Sequence, residues 1–356
     1  TFDYMDKKQT LELIDLRNER ELLRREIEIT TEGLEKDKLV KKLYGIIDSI
    51  NKLLQATESS RDSFIALNEY APEQTVVINE KNYVSAGVKL FGDYGNDTRY
   101  RNLYFCRICG NVQYDAIFDE NRCCDRCGGN NRYRAIIGNV RNGTLTRAYE
   151  PVGFRSDQNL EPTREEMTEK RFYEIKPLLL DINWAQRHTL NLCEMVSSGD
   201  KATILFYNAG NRNGFALCQR CGRSAVESRI FTDEIPTSVR PGPKKIEISD
   251  FNDTTCDATV NDIVRNVVFT AQHQTCYTVL RFKKDIDQNE FIKDESLIYS
   301  LGVILRRALA SYLGIDLSEI GFGMKQELNA WTLFIYDTAR GGCGYSLHLG
   351  NDDELT

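Results

Sequence analysis

Histidine is scarce in this chain, with three in 356 residues, and that removes most of the usual general bases and neutral metal ligands. No stretch matches GxxxxGK[ST], so a self-contained P-loop ATPase is not encoded. Long apolar runs are also missing. The best, TILFY at 203–207 and LGVILRRALASYLG at 301–314, are short or broken by arginine, which argues against a membrane span. No basic segment followed by an apolar one opens the chain, so a secretory signal is not expected and the cytosol is the predicted compartment. The first residue is Thr1 rather than methionine, which suggests a fragment or a processed piece. Low-complexity tracts are absent too.

At 356 residues, 41% hydrophobic and 28% charged, the chain suits a soluble protein of two or three domains. A net charge of -7 and a pI near 5.3 exclude a protein that coats nucleic acid indiscriminately. The charge is uneven, however. Between Arg99 and Arg155 there are ten arginines, no lysine and five acids, a local excess of about +5 on a negative background. The same window holds five of the eleven cysteines.

Apolar residues at three- and four-residue spacing (Leu13, Leu16, Leu23, Ile27, then Leu39, Leu43, Ile46, Ile47, Ile50, Leu54) predict helix over 9–57. Thr30, Thr31 and Gly33 interrupt the pattern, so an antiparallel hairpin of helices and one long rod both fit. From 75 to 155 short β-prone runs separated by Gly, Asn and Asp suggest small strands around the cysteines. Thr163 with Glu166 reads as the capping box of a charged helix. A last helix starts at Ser296, with Leu297, Leu301, Ile304, Leu305, Ala308, Leu309 and Tyr312 on one face and Gly314 as its stop. The expected class is α+β: a helical hairpin or connector at 1–74, a small zinc ribbon at 75–155, and a mixed α/β zinc-binding domain at 156–356.

Cys106 and Cys109, then Cys124 and Cys127, form two CxxC pairs, each followed directly by glycine. Two intervening residues let both thiolates reach one tetrahedral ion, and the glycine permits the tight turn that aims backbone amides at sulfur. Two such pairs in a chain without an export signal point to metal rather than disulfides. Four thiolates would make a closed, structural zinc site. In CCDRC either Cys123 or Cys124 can ligate, and the CxxCG frame favours Cys124. A further pair, Cys218 and Cys221 before Gly222, lacks a later match, so a second zinc would need another ligand. Cys256, in a polar stretch, is preferred over His273, Cys276, Cys343 and His348. Cys276 and Cys193 read as core residues. Among the arginines, Arg126, Arg132 and Arg134 are candidates for bidentate phosphate contacts, with Tyr133 placed to stack on an exposed base.

GGCGYSLH at 341–348 invites a cysteine nucleophile at Cys343, but no histidine stands in a recognisable catalytic setting. Glycines needed for positive φ after a strand are the preferred reading. YDTARGGCGY, with the preceding SLIYSLGVILRRALASYLGIDLSEI and HQTCYTVLRF, resembles the MZB domain, a zinc-binding module named for a helicase and nuclease pair. NAGNRNGFALCQRCGRS is similar to the segment that opens that domain in superfamily 2 helicases. CRICG…CCDRCGG followed by EPVGF is similar to the zinc knuckle before it. The resemblance spans residues 100–349 and departs from relatives at Arg340 and Cys343, where proline and alanine are common. It implies a carboxyl-terminal module or companion subunit of a DNA helicase, of the kind found in anti-phage systems such as DISARM and Druantia. The implied partners are DNA and a separate or upstream ATP-hydrolysing motor. A protein scaffold that never touches DNA is the competing expectation.

Overall fold

The structure is a computed structural model that describes residues 1–5, 7–31, 33–90, 100–106, 108–115, 123–129, 133–135, 146–157, 160–164, 173–180, 182, 184, 187–190, 193–210, 214–226, 262–283, 295–327 and 330–351. It is a mixed α+β protein whose contacts group into two units. The first gathers residues 1–98, 151–173 and 215–265; the second gathers 99–150, 174–214 and 266–356. The units cut across the spans 1–74, 75–155 and 156–356, since the first draws residues from all three. Among the described residues, no helix is long and apolar enough to cross a membrane.

In the first unit, helices α1 (Lys7–Ile29) and α2 (Leu34–Ala56) are separated at the predicted break. They pack through Leu13 and Leu23 against Ile46 and Ile50, with Met5 in the same cluster. A Lys42–Glu19 ion pair at 3.0 Å links their exposed sides. A five-stranded sheet follows, in the order Glu58–Ser59, Phe2–Asp3, Phe154–Ser156, Lys81–Val88, Thr75–Ile78. Phe2 pairs in parallel with Phe154, 152 residues further along the chain, and its ring meets Tyr70 at 4.8 Å. Short helix α3 (Ser63–Glu69) buries Ala66 and Leu67 beside this cluster. Thr163 exchanges backbone hydrogen bonds with Asn82, and Glu166, the other half of the expected capping box, lies outside the described residues.

The second unit is built on long strands. Glu194–Asn208 and Ile263–Lys283 run antiparallel, with a register shift between Ser198 and Ala202. Ala330–Asp337 adds to one half of the latter strand, pairing Tyr277 through Lys283. Thr146–Tyr149 adds in parallel at Val267–Phe269 and leads on to Tyr100–Cys106 and Val112–Asp115. Strands buried on both faces need continuous apolar sequence, and WTLFIY supplies it: Leu333 and Ile335 are fully buried. Helix α4 (Glu295–Leu313) lays Ile298, Leu309 and Ala310 on this layer and ends before Gly314 at φ 66°. Ile304 and Tyr312, expected on its buried face, are exposed. The buried stripe runs through Ile298, Gly302 and Leu309, about a quarter turn from the predicted one.

Candidate metal centre

Cys106 ends strand Tyr100–Cys106, and the chain turns at once. Gly110 N–H donates to the Cys106 carbonyl at 2.8 Å, Cys106 N–H donates to Asn111 O at 2.9 Å, and Gly110 sits at φ 64°. The second knuckle repeats this geometry: Gly128 N–H to Cys124 O at 2.8 Å, Cys124 N–H to Gly129 O at 2.9 Å, and Gly128 at φ 66°. Only glycine takes that left-handed conformation without strain. The two turns face each other. Cys106 Sγ lies 3.6 Å from Cys127 Sγ and Cys109 Sγ 3.5 Å from Cys124 Sγ, and all four sulfurs fall within 4.8 Å of one another.

A tetrahedral ion with sulfur at about 2.3 Å spaces its ligands about 3.8 Å apart, so the tetrad fits one metal ion. Cys106, Cys109 and Cys124 are buried and Cys127 is exposed, with Ile108 packed against the buried three. Cys124 belongs to the tetrad and Cys123 does not. Burial pushes the Cys106 and Cys109 thiols up. For Cys124 burial acts in the same sense, but N–H groups of Cys127 and Arg126 and the facing thiols outweigh it and hold the thiol below its usual value. Among the described residues, no other group of three or more His, Cys, Asp or Glu side chains gathers around a single point.

The chain is similar to the Druantia protein DruE of Escherichia coli (strain UMEA 4076-1). The two are 22% identical over 352 residues, covering 87% of this chain but 17% of DruE, so the chain spans about a sixth of that relative. No family model matches. A crystal structure of the DUF1998 helicase MrfA bound to DNA also aligns, at 10% identity over 56% of this chain and 20% of that one, with a TM-score of 0.29.

Arg126 has partners other than the phosphate expected of it. Its Nη1 donates to the Cys109 carbonyl at 3.1 Å and to Glu327 Oε1 at 2.9 Å, and its guanidinium stacks 4.0 Å from the centre of the Trp184 ring. Glu327 is 1% exposed and also accepts from Thr332 Oγ1 at 2.8 Å and from Arg281 Nε at 2.9 Å. Arg281 reaches on to Glu194 at 2.9 Å. Burial raises the cost of charge on Glu327, yet Arg126 and Arg281 prevail and hold its carboxyl below the usual range. A buried carboxylate keeps its charge only when paired in this way. The second knuckle is thereby tied to the sheet.

Tyr133 and Arg134 lie on strand Tyr133–Ala135, whose backbone pairs Tyr133 with Cys106 and Arg134 with Phe105. Both therefore flank the metal centre along the sheet. Arg132 lies outside the described residues.

Cys218 ends strand Phe215–Cys218 in the same turn as the other two knuckles. Gly222 N–H donates to Cys218 O at 2.9 Å, Cys218 N–H to Arg223 O at 2.9 Å, and Gly222 is at φ 75°. A hydrogen bond donated to Cys218, then burial, push the Cys221 thiol up. Cys256, the proposed third ligand, lies outside the described residues.

Two groups that spacing did not single out prove structural. Glu327 is one. The other is Asp337, fully buried, whose carboxylate accepts from the backbone N–H groups of Cys343 and Gly344 at 2.6 Å, Ser346 at 2.8 Å and Tyr345 at 3.1 Å. It holds the glycine turn in place. Gly342, at φ 68°, abuts Cys276, where an added Cβ would come within 2.6 Å of the sulfur. Cys276 is buried and Cys343 exposed. The only signal in sequence was an aspartate four residues before a glycine turn, and its reach to amides six to nine residues on lies beyond the local two-residue Asx pattern.

Proposed function

We propose that this chain is a zinc-organised module of a superfamily 2 DNA helicase assembly serving anti-phage defence, either as a carboxyl-terminal part or as a companion subunit. The observation that carries the reading is the closure of four thiols around one point, in a chain similar to a Druantia protein along most of its length. Cys106, Cys109, Cys124 and Cys127 would hold the ion, and zinc suits an all-thiol tetrahedral set. The ion supplies folding energy and no reaction chemistry, because four protein ligands leave no position for water. Cys218 and Cys221, with Cys256, would hold a second ion. Arg132, Tyr133 and Arg134, beside the first site, would contact DNA, the arginines at phosphate and the tyrosine at a base. ATP hydrolysis belongs to the motor, and the cytosol is the compartment where such an assembly would meet foreign DNA.

The test pairs elemental analysis of the purified chain with DNA binding over a salt series. Zinc should be present and affinity should fall steeply with salt, as it does when arginines displace phosphate counterions. Binding that is absent at low salt, or indifferent to salt, refutes the DNA part. A second reading, a protein scaffold without DNA contact, draws on the net charge of -7 and on the inward engagement of Arg126. Retention of an ATPase partner after nuclease treatment, without DNA binding by the chain itself, would favour it.

A further inference from the structure

The turn Asn79–Glu80 holds both residues at positive φ, 50° and 63°, and closes a hairpin that pairs Ile78 with Lys81, Val77 with Asn82, Val76 with Tyr83 and Thr75 with Val84. In an antiparallel ladder, successive pairs point their main-chain groups alternately toward and away from each other. Asn82 points away: its N–H donates to Thr163 O at 2.7 Å and its carbonyl accepts from Thr163 N–H at 3.3 Å. The Val84 carbonyl likewise accepts from Asp157 N–H at 2.7 Å. Their opposite numbers, Val77 and Thr75, must therefore turn their N–H and C=O groups to the other side, where the sheet order of the described residues ends.

That side borders a cavity of about 550 Å³, walled by Asn68, Glu69 and Tyr70 at the end of α3. Gln74 lines the same cavity, is 6% exposed, and leaves its Nε2 without a hydrogen-bond partner among the described residues. An amide donor buried in that state costs free energy, and a carbonyl oxygen entering the cavity would recover it.

We propose that this groove receives an extended peptide segment of another protein, added as a strand to Thr75–Ile78. Main-chain hydrogen bonds would give affinity and the side-chain seats selectivity. The edge alternates donors and acceptors, which is what a peptide backbone presents. A phosphate only accepts, and would meet the Thr75 and Val77 carbonyl oxygens with like charge. In the wall, Glu69 is paired with Arg61 at 3.3 Å, so that pair adds no net attraction for an anion. Val77, 60% exposed, offers an apolar seat that suits a β-branched residue on the incoming strand.

The experiment uses the full chain and a synthetic heptapeptide of alternating threonine and valine with a lysine at each end. Residue-resolved hydrogen exchange should show the Thr75 and Val77 amides slowed by the peptide, with saturation in the millimolar range or below. Val77→Pro deletes one outward N–H and leaves the inward pairs of the hairpin in place; binding should weaken about tenfold, while the Ser85 amide keeps its protection. Gln74→Leu removes the orphan donor, so it should raise the thermal midpoint and yet weaken the peptide, a split that a purely structural role would not produce. Exchange at Thr75 and Val77 indifferent to the peptide, equal binding by Val77→Pro, or slowing by a single-stranded oligonucleotide in place of the peptide would each overturn the proposal.

Discussion

The knuckle at Cys124 and the knuckle at Cys218 are the same local object: a CxxCG turn with a Gly N–H to Cys O bond at 2.8 Å in one and 2.9 Å in the other, and glycine at φ 66° and 75°. They differ in company. Cys124 and Cys127 face a second knuckle carried by the Tyr100–Cys106 strand, and Arg126 between them reaches a buried carboxylate 201 residues away. Cys218 and Cys221 lie in a different unit, and among the described residues no second knuckle completes a metal-binding group with them. The comparison teaches that a knuckle is a property of five consecutive residues, whereas a metal site is a property of two strands and the sheet that aligns them.

The sharpest way to break this comparison is to remove a ligand from each side. Cys109→Ser or Cys124→Ser should abolish metal at the tetrad and forfeit binding free energy on the order of 10 kcal/mol, which elemental analysis and thermal unfolding would register as one ion lost and a collapsed transition. Cys221→Ser should take away the second ion only. Zinc content unchanged by it would make the Cys218 knuckle a bare turn and end the equivalence.

Next in size is the tether. Arg126→Met leaves Glu327 with a single cationic partner, and a denaturant titration should find a loss of about 3 kcal/mol. The Cys218 knuckle is tied instead by Arg223 to Asp157 at 2.7 Å and by Arg220 to Asp262 at 3.1 Å, carboxylates less buried than Glu327, and a substitution at Arg220 should cost about 0.5 kcal/mol. Asp337→Ala would strand four amides and should cost about 2–4 kcal/mol in the same assay, with Cys343 becoming more reactive to thiol reagents as the turn loosens.

The smallest effect is on pH dependence. Because Glu327 has its carboxyl held below the unfolded value, its contribution is complete above the ordinary carboxylate range and is lost as pH falls through the depressed value. Glu327→Gln should therefore flatten the acid limb of stability against pH. An unchanged limb would show that the charge cluster does not govern it.

Much of the candidate site was legible because its signals are local. The CxxCG turns need only glycine's access to positive φ, and the break between α1 and α2 needs only the interruption at Thr30–Gly33. The face of α4 was less legible: its sequence is apolar nearly all round, so spacing alone left the buried stripe undetermined until Leu333 and Ile335 fixed it. Arg126 was ambiguous for a related reason. An arginine in a basic stretch looks the same whether it meets phosphate or a buried glutamate, and Glu327 carries no mark in sequence of being buried.

The sequence by itself determined the turns, the helix break and the set of thiols fit for metal, because each depends on the conformational freedom or chemistry of a few adjacent residues. The tertiary structure decided which cysteines gather around one point, where the Arg126 charge goes, and that residues 1–98, 151–173 and 215–265 belong together. Those outcomes rest on pairings such as Phe2 with Phe154, whose free energy is gained only after a long loop has closed and the apolar faces have met.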